Sequence, residues 1–177
     1  MLLEDPEFSH IKIINLVRDP RAIISSRNKL RWCISNACKN PESLCQAMRK
    51  DIEAAEKLRK RHHQQFFHFR FEDLALWPFE TTKKLFNFLG LPNHPRIDFF
   101  LRKRLNSLLT HTFYDHDGKL QSPATHRKPV KAIFRWVREL PWEEIQTIQR
   151  TCKDVLQKLG YKLVNSTQQL ENFHPIG

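Results

Sequence analysis

The sequence predicts an α/β fold with a parallel sheet flanked by helices, and three observations lead to this prediction. Two short apolar runs, at residues 11–17 and 66–71, have the length and composition of buried strands. Segments with helical spacing of apolar residues follow each run, and this alternation is typical of parallel sheets. The 177 residues suit one globular domain, and no Gly/Ser-rich linker divides them. We therefore predict a single domain over residues 1–177.

The first apolar run ends in a turn that starts a helix. Asp19 is a good N-cap and Pro20 fits the first helical position, so the turn predicts a helix over about residues 21–32. A second helix start stands at residues 40–42 and precedes a long apolar stripe. The basic cluster at residues 59–63 suits the negative end of that helix, an interpretation that we prefer to a nucleic-acid patch.

The rest of the chain predicts further helices and one irregular segment. An acidic turn follows the second strand, and glycines mark the ends of two of the helices. The helices cover about residues 78–90, 96–109 and 141–160, and the polar, irregular segment covers 110–128.

The charge of the chain favours anionic partners. The formal net charge is +11 and the isoelectric point is about 9.8. Such a balance suits nucleic acid, acidic polysaccharide, phosphorylated cofactors or a membrane surface, and charge alone does not choose among them. No apolar stretch approaches the roughly 20 residues that a membrane-spanning helix needs.

One segment brings together three features of an anion site. Arg18 stands at the carboxyl end of the first strand, where open α/β sheets bind ligands. A guanidinium group, a helix N-terminus and a hydroxyl such as that of Ser26 all bind phosphate well. The alternative is that Arg18 pairs with Asp19 or another acid, and that Ser25 and Ser26 lie on a solvated helix face.

Residues 16–27 resemble the 3′-phosphate-binding segment of sulfotransferases that use 3′-phosphoadenosine 5′-phosphosulfate (PAPS). In that family an Arg follows a strand and a Ser stands eight residues later, as Arg18 and Ser26 do here. The form Leu-Val-Arg-Asp-Pro-Arg-Ala is typical of Golgi carbohydrate sulfotransferases that modify GlcNAc, galactose or chondroitin. The resemblance continues at residues 70–91 and 125–163, so it covers roughly residues 11–163.

The resemblance implies a P-loop-NTPase-like sheet and transfer of a sulfuryl group from PAPS to a carbohydrate hydroxyl. The acceptor would be a glycosaminoglycan or a glycoprotein glycan, with no metal and no nucleic acid involved. The full-length protein would be a single-pass type II membrane protein of the Golgi lumen. The implied cofactor-binding residues are Arg18, Ser26, Arg127 and Lys128.

The resemblance also assigns structural roles. Glu72 and Asp73 would belong to an acidic turn without a catalytic part. Cys45 and Cys152 would pair in an oxidising compartment, whereas Cys33 and Cys38 stay unassigned. The spacing of the four cysteines does not favour zinc.

Two parts of the family's active site have no counterpart in the sequence. No glycine precedes Gly90, so nothing before residue 11 can form the first strand and the Gly-rich loop that binds the phosphosulfate. The usual catalytic base also lies upstream in related enzymes, and His10 is a poor candidate because it stands just before a strand. We therefore expect an incomplete or inactive C-terminal portion of the domain, with the base unassigned.

Two other functions compete with sulfuryl transfer. A non-enzymatic basic module that binds acidic polysaccharide or nucleic acid would need only the charge. A nucleotide kinase is disfavoured because the sequence has no G-x-x-x-x-G-K-[ST] loop. The triplet Asn165-Ser166-Thr167 is an N-glycosylation sequon and weakly supports a secretory route.

Overall fold

In the residues that the structure describes, the sheet consists of two parallel strands. A computed structural model describes residues 5–8, 10–107, 133–171 and 173–176. In this part of the chain β1 (Ile13–Val17) pairs with β2 (Phe66–Arg70), and the register runs from Ile13 opposite Phe66 to Val17 opposite Arg70. Helices flank the sheet, which confirms the predicted α/β class with a parallel sheet.

The described residues form ten α-helices. Two 3₁₀ turns, Pro6–Phe8 and His63–Gln65, precede the two strands. The helices are α1 (Pro20–Arg27), α2 (Asn36–Lys39), α3 (Pro41–Arg61), α4 (Phe71–Leu76), α5 (Pro78–Leu89), α6 (Pro95–Ser107), α7 (Trp136–Glu139), α8 (Trp142–Thr151), α9 (Lys153–Lys158) and α10 (Thr167–Leu170).

The predicted start signals lie where the structure has helix N-termini. Asp19 caps α1 by accepting a hydrogen bond from the Arg21 amide, and Asn40 caps α3 by accepting from the amides of Glu42 and Ser43. Gly90 ends α5 with φ +71°, a left-handed conformation that a residue with a Cβ adopts at a cost.

Four predicted details are wrong. Helix α1 ends at Arg27 instead of about residue 32, because the chain turns there and Asn28 caps the helix. The acidic turn after β2 is a short helix, α4. The last helix is interrupted at Cys152, whose φ of −109° and ψ of 17° separate α8 from α9. Strand β1 is less buried than predicted, since its alternate residues Ile14 and Leu16 are exposed.

The chain divides into two compact units, residues 1–71 with 134–177 and residues 72–133. The first unit contains the sheet, α1 to α3 and α7 to α10, and its core includes Ile24, Trp136 and Ile148, each fully buried. In the second unit α5 packs against α6. The assignment of residues 1–177 to a single domain stays a prediction.

Candidate functional site

Arg18 lies at the carboxyl edge of the sheet. Val17 and Arg70 are opposite each other in the register, so Arg18 and Phe71, which follow the two strands, lie at the same edge of the sheet. The Arg18 guanidinium carbon stands 4.8 Å from the centre of the Phe71 ring, a cation–π distance. The structure therefore places this predicted site residue at the edge where parallel sheets bind ligands.

Helix α1 begins two residues after this edge position. Its first residue is Pro20, and the helix N-terminus carries amide groups and a partial positive charge. Ser26 is the seventh residue of α1, which places it about 9 Å along the helix axis from Pro20. Its side chain is half-buried. Arg18 and Ser26 thus belong to one strand–turn–helix unit.

Asp19 pairs with Arg21 in the interior of the protein. Both side chains are fully buried, and Arg21 Nη2 donates to Asp19 Oδ2 at 2.8 Å. Arg21 Nε lies 3.0 and 3.2 Å from the two carboxylate oxygens, and the Arg21 amide donates to Oδ1 at 2.8 Å. This geometry makes Arg21 a partner of Asp19, which sequence reasoning did not consider.

Arg21 also connects α1 with distant parts of the chain. Its Nη1 donates to Gln149 Oε1 and to the Lys162 carbonyl oxygen, each at 2.9 Å. The guanidinium carbon stands 4.3 Å from the ring centre of Trp136 and 5.5 Å from that of Phe173. Sequence reasoning gave Arg21 no role, although its place two residues after an N-cap Asp is a signal that could have found it.

The start of α1 combines two arginines, one acid and a helix N-terminus. Arg18 and Arg21 are cationic, and Asp19 is the acid that the buried pair neutralises. A basic helix N-terminus favours a bound anion over a cation. The local electrostatics therefore suit a phosphate or sulfate ester at the sheet edge.

Ser25 has a structural contact, in contrast to its neighbour Ser26. Its hydroxyl donates to Glu139 Oε2 at 3.0 Å, and the Ser25 side chain is buried. Glu139 also pairs with Lys29 and Arg135. Burial alone would raise the pKa of Glu139, but the hydrogen bonds from Arg135, Lys29 and Ser25 outweigh it and lower the pKa below its ordinary value. This cluster fastens α1 to α7.

Two disulfides brace the helices around α1. Cys45 and Cys152 form a disulfide that joins α3 to the junction of α8 and α9, which confirms the predicted pairing. Cys33 and Cys38, which the sequence left unassigned, form the second disulfide. Arg27 Nη1 donates to the Cys38 carbonyl oxygen at 3.0 Å, so the second bridge is tied to the end of α1.

Sequence analysis also singled out His10, Glu72 and Asp73. His10 is exposed in the turn before β1. Glu72 is buried in α4, and the carbonyl oxygen of Asp73 accepts a hydrogen bond from the Thr81 hydroxyl at 3.1 Å. These contacts do not test whether Glu72 and Asp73 have a catalytic part, so their structural role stays a prediction.

Arg127 and Lys128 lie outside the described residues, so the structure does not place them. Among the side chains that it does place, no group of three or more His, Cys, Asp or Glu could hold a metal ion. None of the described helices is both long and apolar enough to cross a membrane.

Comparison with known proteins identifies relatives of this strand–turn–helix unit. The model of the sulfotransferase family matches residues 6–95, which include β1, α1 and β2. Carbohydrate sulfotransferase 1 from Mus musculus is 26% identical over 186 residues, which are 97% of this chain and 43% of the relative. Carbohydrate sulfotransferase 3 from Mus musculus is 25% identical over 187 residues, 97% of this chain and 38% of the relative.

A third relative extends the comparison to fish. Carbohydrate sulfotransferase 1 from Danio rerio is 27% identical over 186 residues, again 97% of this chain and 43% of the relative. The chain therefore spans less than half the length of these curated relatives.

Proposed function

This chain belongs to the sulfotransferase family, and we propose that the whole protein transfers a sulfuryl group from PAPS to a hydroxyl of a carbohydrate. The acceptor class rests on relatives that are named carbohydrate sulfotransferases. We infer a glycosaminoglycan or a glycoprotein glycan, because the net charge of +11 attracts acidic chains.

The position of Arg18 carries this proposal. The residue lies at the carboxyl edge of a parallel sheet, two residues before the first residue of α1 and eight before Ser26. A guanidinium group binds a phosphate through paired, charge-assisted hydrogen bonds, and a hydroxyl adds one more. Arg18 and Ser26 would hold the 3′-phosphate of the sulfate donor, and Arg127 with Lys128 would add a second cationic contact.

The Asp19–Arg21 pair would hold the groups of this anion site in place. Because the pair is buried and bonded to Gln149 and Lys162, it holds the first turn of α1 against the rest of its unit. Preorganised charges bind an anion better than mobile ones, since no side chain has to be ordered on binding. The Ser25–Glu139 hydrogen bond would act in the same way at the next turn of α1.

The reaction is an in-line displacement at sulfur. The bond between sulfur and the bridging oxygen of the phosphosulfate breaks, and a bond between sulfur and the acceptor hydroxyl oxygen forms. Adenosine 3′,5′-bisphosphate leaves, and the hydroxyl proton passes to a base that stays unassigned. The residues of this chain bind and orient the donor, which lowers the barrier by fixing the reacting groups in line.

The location of the whole protein follows from the same resemblance. We propose the Golgi lumen, with a type II membrane topology. The two disulfides support an oxidising compartment, since such bonds are rare in the cytosol.

Nucleotide binding to the whole protein tests the proposal. Calorimetric titration should show that adenosine 3′,5′-bisphosphate binds more tightly than adenosine 5′-monophosphate, because only the first has a 3′-phosphate. Arg18→Ala should remove most of this preference by raising the Kd for adenosine 3′,5′-bisphosphate about 10- to 150-fold. This is the change in affinity expected when hydrogen bonds to a charged group are lost. Arg59→Ala, at an exposed position of α3, is the matched control and should leave the preference unchanged.

The opposite result would indicate a module that binds anions by charge alone. In that case the two nucleotides would bind alike, Arg18→Ala and Arg59→Ala would have equal small effects, and affinity for every polyanion would fall alike with added salt. Equal binding of the two nucleotides by the unmodified protein refutes the 3′-phosphate assignment.

A further inference from the structure

The chain contains one triplet of the form Asn-x-Ser/Thr, at Asn165-Ser166-Thr167. The middle residue is not proline, so the triplet meets the sequence requirement for an N-linked glycan. Such triplets also arise by chance. Whether this one is usable depends on its exposure, on the conformation of its backbone and on the compartment of the protein.

The folded chain presents the triplet at its surface. Asn165 and Thr167 are exposed, and Ser166 between them has φ −150° and ψ 161°. An extended residue directs the side chains on its two sides towards the same face. The extended backbone at Ser166 therefore places the exposed Asn165 and Thr167 on one face of the chain.

The side chains of Asn165 and Ser166 make no hydrogen bond to other described residues that would explain their polarity. Within the described part of the chain, the Asn165 side chain makes no hydrogen bond, and Ser166 begins α10 without a side-chain cap bond. The Asn165 backbone, in contrast, is anchored, since its amide donates to Gln169 Oε1 at 2.9 Å. The triplet thus combines a fixed backbone with an asparagine that projects into solvent.

The residue before the triplet is held in the core of the protein. Val164 is buried, its amide donates to Gln149 Oε1, and its carbonyl oxygen accepts from Gln149 Nε2, both at 2.8 Å. Since this anchoring leaves the Asn165 side chain outside, a bulky sugar can be attached there without displacing the buried neighbour.

The two disulfides provide an independent observation about the compartment. Both Cys33–Cys38 and Cys45–Cys152 form in the structure, and such bonds persist in the oxidising secretory route. N-linked glycans are added in that same route. The cysteines and the triplet therefore agree on where this chain folds.

We propose that Asn165 is an N-glycosylation site of this protein. The donor is an oligosaccharide linked to a lipid through a pyrophosphate, and the cell's glycosylation enzyme catalyses the transfer. A bond forms between the Asn165 amide nitrogen and the anomeric carbon of the first sugar, while the bond from that carbon to the pyrophosphate oxygen breaks. The lipid pyrophosphate leaves as an anion, and the amide nitrogen releases one proton, so that charge is conserved. The proposal does not depend on sulfuryl transfer.

The test compares four variants of the full-length protein expressed in animal cells. Asn165→Gln and Thr167→Ala each destroy the triplet. Ser166→Ala and Thr167→Ser are matched controls, because they alter the same surface and keep the Asn-x-Ser/Thr pattern. Each protein is digested with an enzyme that removes N-linked glycans, and its gel mobility and the mass of the peptide containing residue 165 are compared before and after.

Digestion should shift the unmodified protein and both controls, and it should convert Asn165 to aspartate in the peptide. The two triplet-destroying variants should lack the glycan at this peptide. The proposal is overturned if the peptide of the unmodified protein carries an unmodified Asn165, whether the protein has entered the secretory route or not. A glycan found only on another part of a longer protein gives that same negative result.

Discussion

Replacement of Arg21 by methionine should strongly destabilise the first compact unit. Methionine keeps much of the side-chain volume but removes the charge and every donor that the structure shows on the guanidinium group. The change leaves the buried Asp19 carboxylate, the Lys162 carbonyl oxygen and the ring of Trp136 without their cationic partner.

The size of the effect follows from the burial of both charges. Arg21 and Asp19 have no exposed side-chain surface, so Arg21→Met removes from the interior the guanidinium group that the Asp19 carboxylate contacts. Loss of one partner of a buried ion pair costs about 3–5 kcal/mol in free energy of unfolding. Since small domains have about 5–15 kcal/mol in all, the variant should approach the limit of stability.

A double variant separates the charge from the packing. Asp19→Asn keeps a residue that caps helices well while it removes the negative charge. Combined with Arg21→Met it should recover about 0.5–3 kcal/mol relative to Arg21→Met alone, because the buried carboxylate that Arg21 contacted is then uncharged. Arg59→Met on the exposed surface of α3 controls for the general effect of losing an arginine.

Urea unfolding followed by circular dichroism measures these differences. With slopes of about 1–3 kcal/mol per molar urea, Arg21→Met should lower the midpoint by about 1 M or more. The reasoning is refuted if Arg21→Met costs no more than Arg59→Met, or if the double variant is less stable than Arg21→Met alone. Either result would mean that the buried pair does not hold α1 in place.

Two further predictions concern the contacts around α1. The Cys45–Cys152 bridge closes a loop of sequence separation 107, and the Cys33–Cys38 bridge closes one of separation 5. In the loop-entropy model, replacing both cysteines of a bridge by alanine should lower the free energy of unfolding by about 4.7 kcal/mol for the first bridge and about 2 kcal/mol for the second. Thermal unfolding measures the two losses, and the reverse order would contradict the prediction. Because the pKa of Glu139 is lowered in the folded state, its stabilising contribution is present above the ordinary value of 4.5 and is lost as the pH falls through the lower folded value. Glu139→Gln should therefore flatten the stability curve at the acid end, and an unchanged acid slope would contradict the assignment.

The sequence determined the elements that depend on local chemistry. The β-branched run before Arg18 indicated a strand, the Asp19-Pro20 pair indicated a helix start, and Gly90 indicated a helix end. Such signals act over a few residues, through caps, fixed φ angles and apolar spacing. For the same reason the sequence alone places Arg18 and Ser26 on a strand–turn–helix unit.

Resemblance carried the assignment further than local chemistry could. The order of the motifs led to the sulfotransferase family, which the match over residues 6–95 confirms. The pairing of Cys45 with Cys152 came from the same resemblance, because spacing alone cannot select one connectivity among three.

Only the tertiary structure decided which distant groups meet. Asp19 pairs with Arg21, whose other contacts, Gln149 and Lys162, lie far along the chain, and no periodicity predicts such a meeting. The early end of α1 and the break at Cys152 are set in the same way by turns and packing that outweigh helix propensity. Propensities of a few tenths of a kcal/mol per residue select the type of element, whereas buried contacts worth several kcal/mol fix where it ends and what it touches.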